Sequence, residues 1–167
     1  MQHTDVATRS LQSERLFQEA RKRLQANRES DAIDLLRDAL RLEPENPAYL
    51  SLYGLCLAKA GVGVQQALDA CRRALRHAPG DVELQMNLGR VYRIMGDNAA
   101  AHRMFLRAWR QNRRHPGPAS ELARMGVRKP PIIRFLARSH WCNRYLGKLR
   151  ERVRRSLAGR RGAHGLA

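Results

Sequence analysis

Cysteines, aromatic rings and acidic side chains are scarce in this chain, and each shortage removes a class of protein. Cys56, Cys71 and Cys142 are the only cysteines in 167 residues. Their odd number and irregular spacing exclude a disulfide scaffold, and no pair has the spacing of zinc ligands. Aromatic residues make up 5% of the chain, and Ala, Leu and Arg dominate in their place. That balance favours helices over a large sheet. No run approaches the roughly 18 apolar residues of a membrane span. The opening residues, MQHTDVATRSLQSERLF, have no apolar centre of a secretory leader. A reduced, cytoplasmic setting is expected. Chemistry-bearing motifs are missing too: the six histidines are scattered, and there is no HExxH, no Walker-type phosphate loop and no GxSxG. The GVG at Gly61–Gly63 follows a helical pattern and not the strand a dinucleotide site requires. These absences predict a protein that is not an enzyme, with no cofactor, no metal and no small-molecule substrate.

What is abundant is positive charge, and it is unevenly placed. The net charge is +17, from 32 basic and 15 acidic residues. Residues 1–112 hold 17 basic and 13 acidic side chains, whereas residues 113–167 hold 15 basic and 2 acidic. The first two-thirds therefore reads as an ordinary soluble domain. The last third carries a field that attracts acidic or phosphate-rich partners. At 43% hydrophobic residues, the chain has enough apolar content for a packed core.

Self-comparison gives the strongest pattern. LYGLCLAKAGVGVQQALDACRRALRHAPG aligns with NLGRVYRIMGDNAAAHRMFLRAWRQNRRHPG. Gly54 pairs with Gly89 and Gly61 with Gly96, each 35 residues apart, while Ala67 pairs with Ala101 and Ala74 with Ala108, each 34 apart. The one-residue slip falls in the GVGVQQ turn, where an insertion costs little. A third copy lies upstream, with Ala20, Ala32, Leu36, Ala39 and Pro44 on the same spacing. Each copy has two apolar periodic stretches separated by a short turn, the pattern of a helical hairpin. Small residues at Gly54, Ala67 and Ala74 let helices approach closely, Gly61 and Gly96 suit helix C-termini, and Pro44 and Pro79 stop the second helix. A lone hairpin cannot cover its own apolar face, so the copies must stack.

This pattern resembles the tetratricopeptide-repeat (TPR) family. The family has a small residue at its eighth position, Ala at the twentieth and twenty-seventh, and Pro near the end. The second copy matches with Gly54, Ala67, Ala74 and Pro79, and the third with Gly89, Ala101, Ala108 and the Gly96–Asp97 turn. The first copy departs at Glu19 and Arg23, where apolar residues are usual, and has no turn glycine. The resemblance implies an all-α fold: a right-handed superhelix of three hairpins over residues 13–115, after a flexible segment 1–12. It also implies a protein partner, held in a groove lined by each hairpin's first helix. Carrying the family's groove positions over gives Glu14, Phe17, Arg21 and Leu24, then Ser51, Leu55, Ala58 and Lys59, then Met86, Asn87, Arg90 and Arg93. That mixture suits an acidic or amphipathic segment. Asn87 matches a position where some relatives grip a terminal carboxylate, and a solvated face is the alternative reading of Arg90 and Arg93. Phe17, Leu36, Tyr53, Leu57, Leu88, Tyr92, Phe105 and Trp109 recur at helical spacing and are expected in the core.

After Arg114 the rhythm breaks. Residues 116–129 read as a capping helix, around Ala119–Met125, and a linker. Residues 130–158 read as an extended segment begun by Pro130 and Pro131, followed by a basic amphipathic helix, and residues 159–167 as a disordered end. In the helix, Trp141, Tyr145, Leu149, Val153 and Leu157 recur every four residues, and Arg144, Lys148, Arg152 and Arg155 lie among the basic residues around them. Three readings stay open for it: a last solenoid helix, a docking element for an acidic protein or an anionic membrane surface, or a nucleic-acid contact. The chain thus reads as an adaptor that is cytoplasmic, or peripheral to the inner membrane face. The alternative is a nucleic-acid- or anionic-membrane-binding protein acting through the basic C-terminal helix, and a further alternative is a secretion chaperone of the same repeat family.

Overall fold

In the computed structural model, residues 2–126 are described, with side chains from residue 7 onward. The readings placed on residues 127–167 lie outside the described residues, including Cys142 and the basic tail with Trp141, Arg144, Tyr145, Lys148, Arg152 and Arg155. Apolar residues recurring at three- and four-residue intervals place the described chain in seven helices: α1 (Gln2–Gln25), α2 (Glu29–Leu42), α3 (Pro47–Ala60), α4 (Val64–His77), α5 (Val82–Ile94), α6 (Asn98–Gln111) and α7 (Pro116–Arg124). Helices α1 and α2, α3 and α4, and α5 and α6 pack as antiparallel hairpins, and α7 packs on the last one. The expected three hairpins and capping helix are all present. One boundary differs. Helix α1 begins at Gln2, so residues 2–12, expected to precede the repeats as a flexible segment, are helical. The run from Gln2 to Gln25 contains neither Gly nor Pro, so nothing in it stops a helix.

Local chemistry sets the ends. The Asn46 side chain accepts from Ala48 N at 3.1 Å, Asp81 from Leu84 N at 3.1 Å and Asp97 from Ala100 N at 2.9 Å, capping α3, α5 and α6. Helices α2 and α4 end two residues before Pro44 and Pro79. The turns inside the hairpins need a left-handed residue: Gly61 has φ 71° and Gly96 has φ 81°. In the first hairpin, Asn27 takes this role with φ 54°, which is how that copy manages without a glycine. Glu19 and Arg23, also unusual there, form an i,i+4 ion pair at 2.9 Å.

The core runs through the stack. Ala20, Ala32, Leu36, Ala39, Cys56, Ala67, Cys71, Ala74, Ala101, Phe105 and Ala108 are fully buried. Leu57 and Leu88 are buried beside them, while Phe17, Tyr53 and Tyr92 are half-buried against the core. Trp109 is half-buried under the Arg113 guanidinium, 5.0 Å away. Full burial of a side chain such as Leu36 contributes about 1.5–3 kcal/mol. Cys56 and Cys71 are free and buried. Burial pushes both thiols up to about 12. Among the described residues, no helix is long and apolar enough to cross a membrane.

Candidate functional site

Among the hairpins' first helices, α3 packs on α5, and side chains link α1 to α3 and α5 to α7. At the α1–α3 end, the Phe17 and Tyr49 rings lie 4.9 Å apart, and the Arg21 guanidinium lies over Phe17 at 5.9 Å. The Tyr49 hydroxyl is 3.2 Å from both Ser13 Oγ and Glu14 Oε2. Burial is the main cause that raises the Tyr49 phenol above its usual range, and the carboxylates of Glu43 and Glu14 add to it. Leu24 is half-buried against the core and Arg21 is exposed.

Across α3, α5 and α7 the polar side chains form a continuous ladder. Asn87 Nδ2 donates to Ser51 Oγ at 3.0 Å, and Arg90 Nη1 donates to Asn87 Oδ1 at 3.0 Å. Arg90 Nε reaches Glu121 Oε1 at 3.3 Å, and Arg93 Nη1 reaches Glu121 Oε2 at 2.6 Å. Glu121 is 4% exposed, so this carboxylate is satisfied by two guanidinium groups almost out of water. It follows Asn87 by 34 residues and does for α7 what Asn87 does for α5: a side chain at the same repeat position bonds the preceding first helix. Helix α7 is thus built as the opening helix of a further repeat.

The ladder revises the assignment of the groove. Arg90 and Arg93 converge, as one acid-binding pair requires, but on a carboxylate of the same chain. They are therefore not a merely solvated face. Asn87 engages Ser51 and Arg90 with both ends of its amide and is 8% exposed, which leaves it little access to a partner. Leu55, at 5% exposure, and Met86, fully buried, belong to the core and do not line an open surface. Met86 is covered because α7 lies on it: a Cβ on Gly117 would come within 3.2 Å of its Cε. Ser51 and Ala58 are likewise buried. Lys59 is turned to Glu29 of α2 at 2.9 Å, and this bond is the first cause holding the Glu29 carboxyl below its usual range. Of the expected groove cations, only Arg21 has no acidic partner among the described residues. Glu121 itself was missed. It is the sole acid between Asn98 and Arg150, and its 34-residue offset from Asn87 was the available clue.

No protein-family model and no curated protein sequence matches the chain. Solved structures do. The Sgt2 TPR domain of Aspergillus fumigatus is 23% identical with a TM-score of 0.59, covering 68% of this chain and 76% of that one. The first TPR of Spaghetti (RPAP3), bound to the HSP90 peptide SRMEEVD, is 15% identical with a TM-score of 0.59 over 70% of this chain and 91% of that one. The O-GlcNAc transferase of Thermobaculum terrenum is 20% identical with a TM-score of 0.64, over 70% of this chain and 22% of the enzyme. Three stacked hairpins, the repeat spacing and these structural likenesses together identify the described part of the chain as a domain of the tetratricopeptide-repeat fold.

Proposed function

We propose that the chain is a non-enzymatic interaction adaptor, whose row of first helices takes an acidic, amphipathic segment of a partner protein at Arg90 and Arg93. The observation that carries this reading is Glu121: a carboxylate already lies between the two arginines, so their spacing and depth suit an acidic side chain. The acidic peptide on the Spaghetti domain supports it by likeness of fold. A partner carboxylate would take the place of Glu121, while Arg21, Phe17 and Leu24 offer a second, partly apolar contact at the other end of the row. The basic segment 130–158 would supply a further contact to the same assembly, raising affinity through effective concentration.

The test is direct binding of a fluorescent amphipathic peptide with glutamates at four-residue spacing. Alanine at Arg90 or Arg93 is expected to weaken capture about tenfold or more, the value of a charge-assisted hydrogen bond. Glu121→Gln is expected to tighten it, because the competing internal charge is gone. If Glu121→Gln leaves the affinity unchanged while circular dichroism shows an intact fold, the arginine pair is not the partner's site.

A further inference from the structure

Hairpins differ in how they treat charge on their second helices. On α2, Arg37 pairs with Asp34 and Arg41 with Asp38, each at 2.8 Å. On α4, Arg73 pairs with Glu45 at 2.5 Å. Helix α6 has no acidic residue at all. Its Arg103, Arg107 and Arg110 are exposed, and none has an acidic partner among the described residues. Their spacing of four and three residues sets them on one face, a stripe about 10 Å long at 1.5 Å rise per residue. Arg107 Nη2 donates to Pro79 O at 3.3 Å, which brings this stripe against the end of α4. There Arg76 is exposed and likewise without an acidic partner among the described residues.

Like charges three and four residues apart destabilise a helix. No carboxylate among the described residues offsets that repulsion in the stripe. We infer that Arg76, Arg103, Arg107 and Arg110 form a docking surface for the phosphate backbone of a duplex nucleic acid, built from none of the residues assigned to the groove or the tail. The choice of partner follows from what accompanies the arginines. A protein partner's hot spot wants an aromatic or aliphatic anchor, and membrane adsorption by a helix wants apolar side chains to insert. The exposed large apolar residues of the described chain are Leu11, Val62, Val64, Ile94 and Met95, none of them on α6. Base stacking of a single strand needs open aromatic rings. Phe105 is buried and Trp109 is covered by Arg113. Exposed guanidinium groups on a helix with no exposed large apolar side chain match phosphates, which are held by charge and bidentate hydrogen bonds without reading sequence.

The experiment is a salt titration of the full chain against a 20-base-pair DNA of arbitrary sequence. Its comparison variants are the quadruple Arg76, Arg103, Arg107 and Arg110→Gln and the charge-matched tail quadruple Arg144, Lys148, Arg152 and Arg155→Gln. Each phosphate contact contributes about 0.9 to the slope of log K against log salt. The first quadruple is therefore expected to flatten the slope by about 3.6, and Arg110→Gln alone by about 0.9. All four side chains are exposed, so circular dichroism should be unchanged. A slope within one unit of the parent's for the first quadruple, with flattening confined to the tail variant, overturns the inference. So does a parent chain that ignores the duplex yet loses binding to phosphatidylserine vesicles, or to polyglutamate, when the same four arginines are replaced.

Discussion

A methyl group has no room at Gly54. A Cβ there would lie 2.6 Å from both the Ala67 carbonyl oxygen and Cys71 Sγ, across the closest approach of α3 and α4. One obstacle is backbone and the other is a buried side chain, so neither can swing away. Gly54→Ala is expected to cost about 1–3 kcal/mol, the usual scale of overpacking, read as a lower urea midpoint. At Gly61, φ is positive and nothing lies within 4 Å of the added Cβ, so the cost of Ala comes from backbone strain alone. The two cysteines under this contact make a second prediction. With both thiols held near 12 by burial, Ellman's reagent at pH 8 should find neither Cys56 nor Cys71 in the native Cys142→Ser chain, and both in denaturant. Fast labelling of one thiol in the native state would mean that α3 and α4 open readily.

At the scale of elements, α7 is the one whose hold is electrostatic as much as apolar. Leu122 and Met125 rest against the Met86–Phe105 cluster, and Glu121 ties the helix to α5. Removing Glu121 leaves Arg90 and Arg93 facing each other without a counter-charge. Glu121→Ala is expected to cost about 1–3 kcal/mol if α7 stays in place, the scale of lost charge-assisted hydrogen bonds, because the two guanidinium groups left behind are about a third exposed. Release of α7 would lower that cost, and native-state proteolysis after Arg114 or Arg124 should then accelerate. Equal proteolysis rates for the parent and the variant would show that the apolar contacts alone secure α7. This element also marks how far the sequence could be read. The second and third hairpins were legible because three small residues recur where helices touch and a glycine recurs at the turn between them. The first was legible from Ala32 and Ala39, although its Asn27 turn was not foreseen. Periodicity shows which residues share a face, but not what later covers it. Leu55 and Met86 were therefore read as groove, and the arginine pair was read without its carboxylate. The charge imbalance pointed to the last third, and it did not show that α6 lacks any acid to balance its arginines.

For the folded domain as a whole, carboxylates link neighbouring helices, and acid should undo those links together. Glu29 joins α2 to Lys59 of α3, and Glu45, in the α2–α3 turn, meets Arg73 and His77 of α4. Bonds from Lys59 to the first, and from His77 and then Arg73 to the second, hold both carboxyls below the usual carboxylate range. A carboxyl whose folded value lies below its unfolded one contributes stability that is complete above the unfolded value and disappears as pH falls through the folded one. These two sites should therefore leave stability level from neutral pH down to about 5 and lower it from about 4.5 downward. Both carboxylates are near the surface, so their individual contributions are small and screened by salt. The chain's net charge of +17 works in the same direction, because every carboxylate neutralised by acid leaves more positive charge unopposed. Urea midpoints measured from pH 7 to pH 3 should stay level and then fall, and the fall should be shallower in the double variant Glu29→Gln, Glu45→Gln. Adding 0.5 M salt should blunt the self-repulsion at every pH. If the double variant loses stability as steeply with acid as the parent does, the links between neighbouring helices are not what acid breaks, and general repulsion among the arginines is the cause.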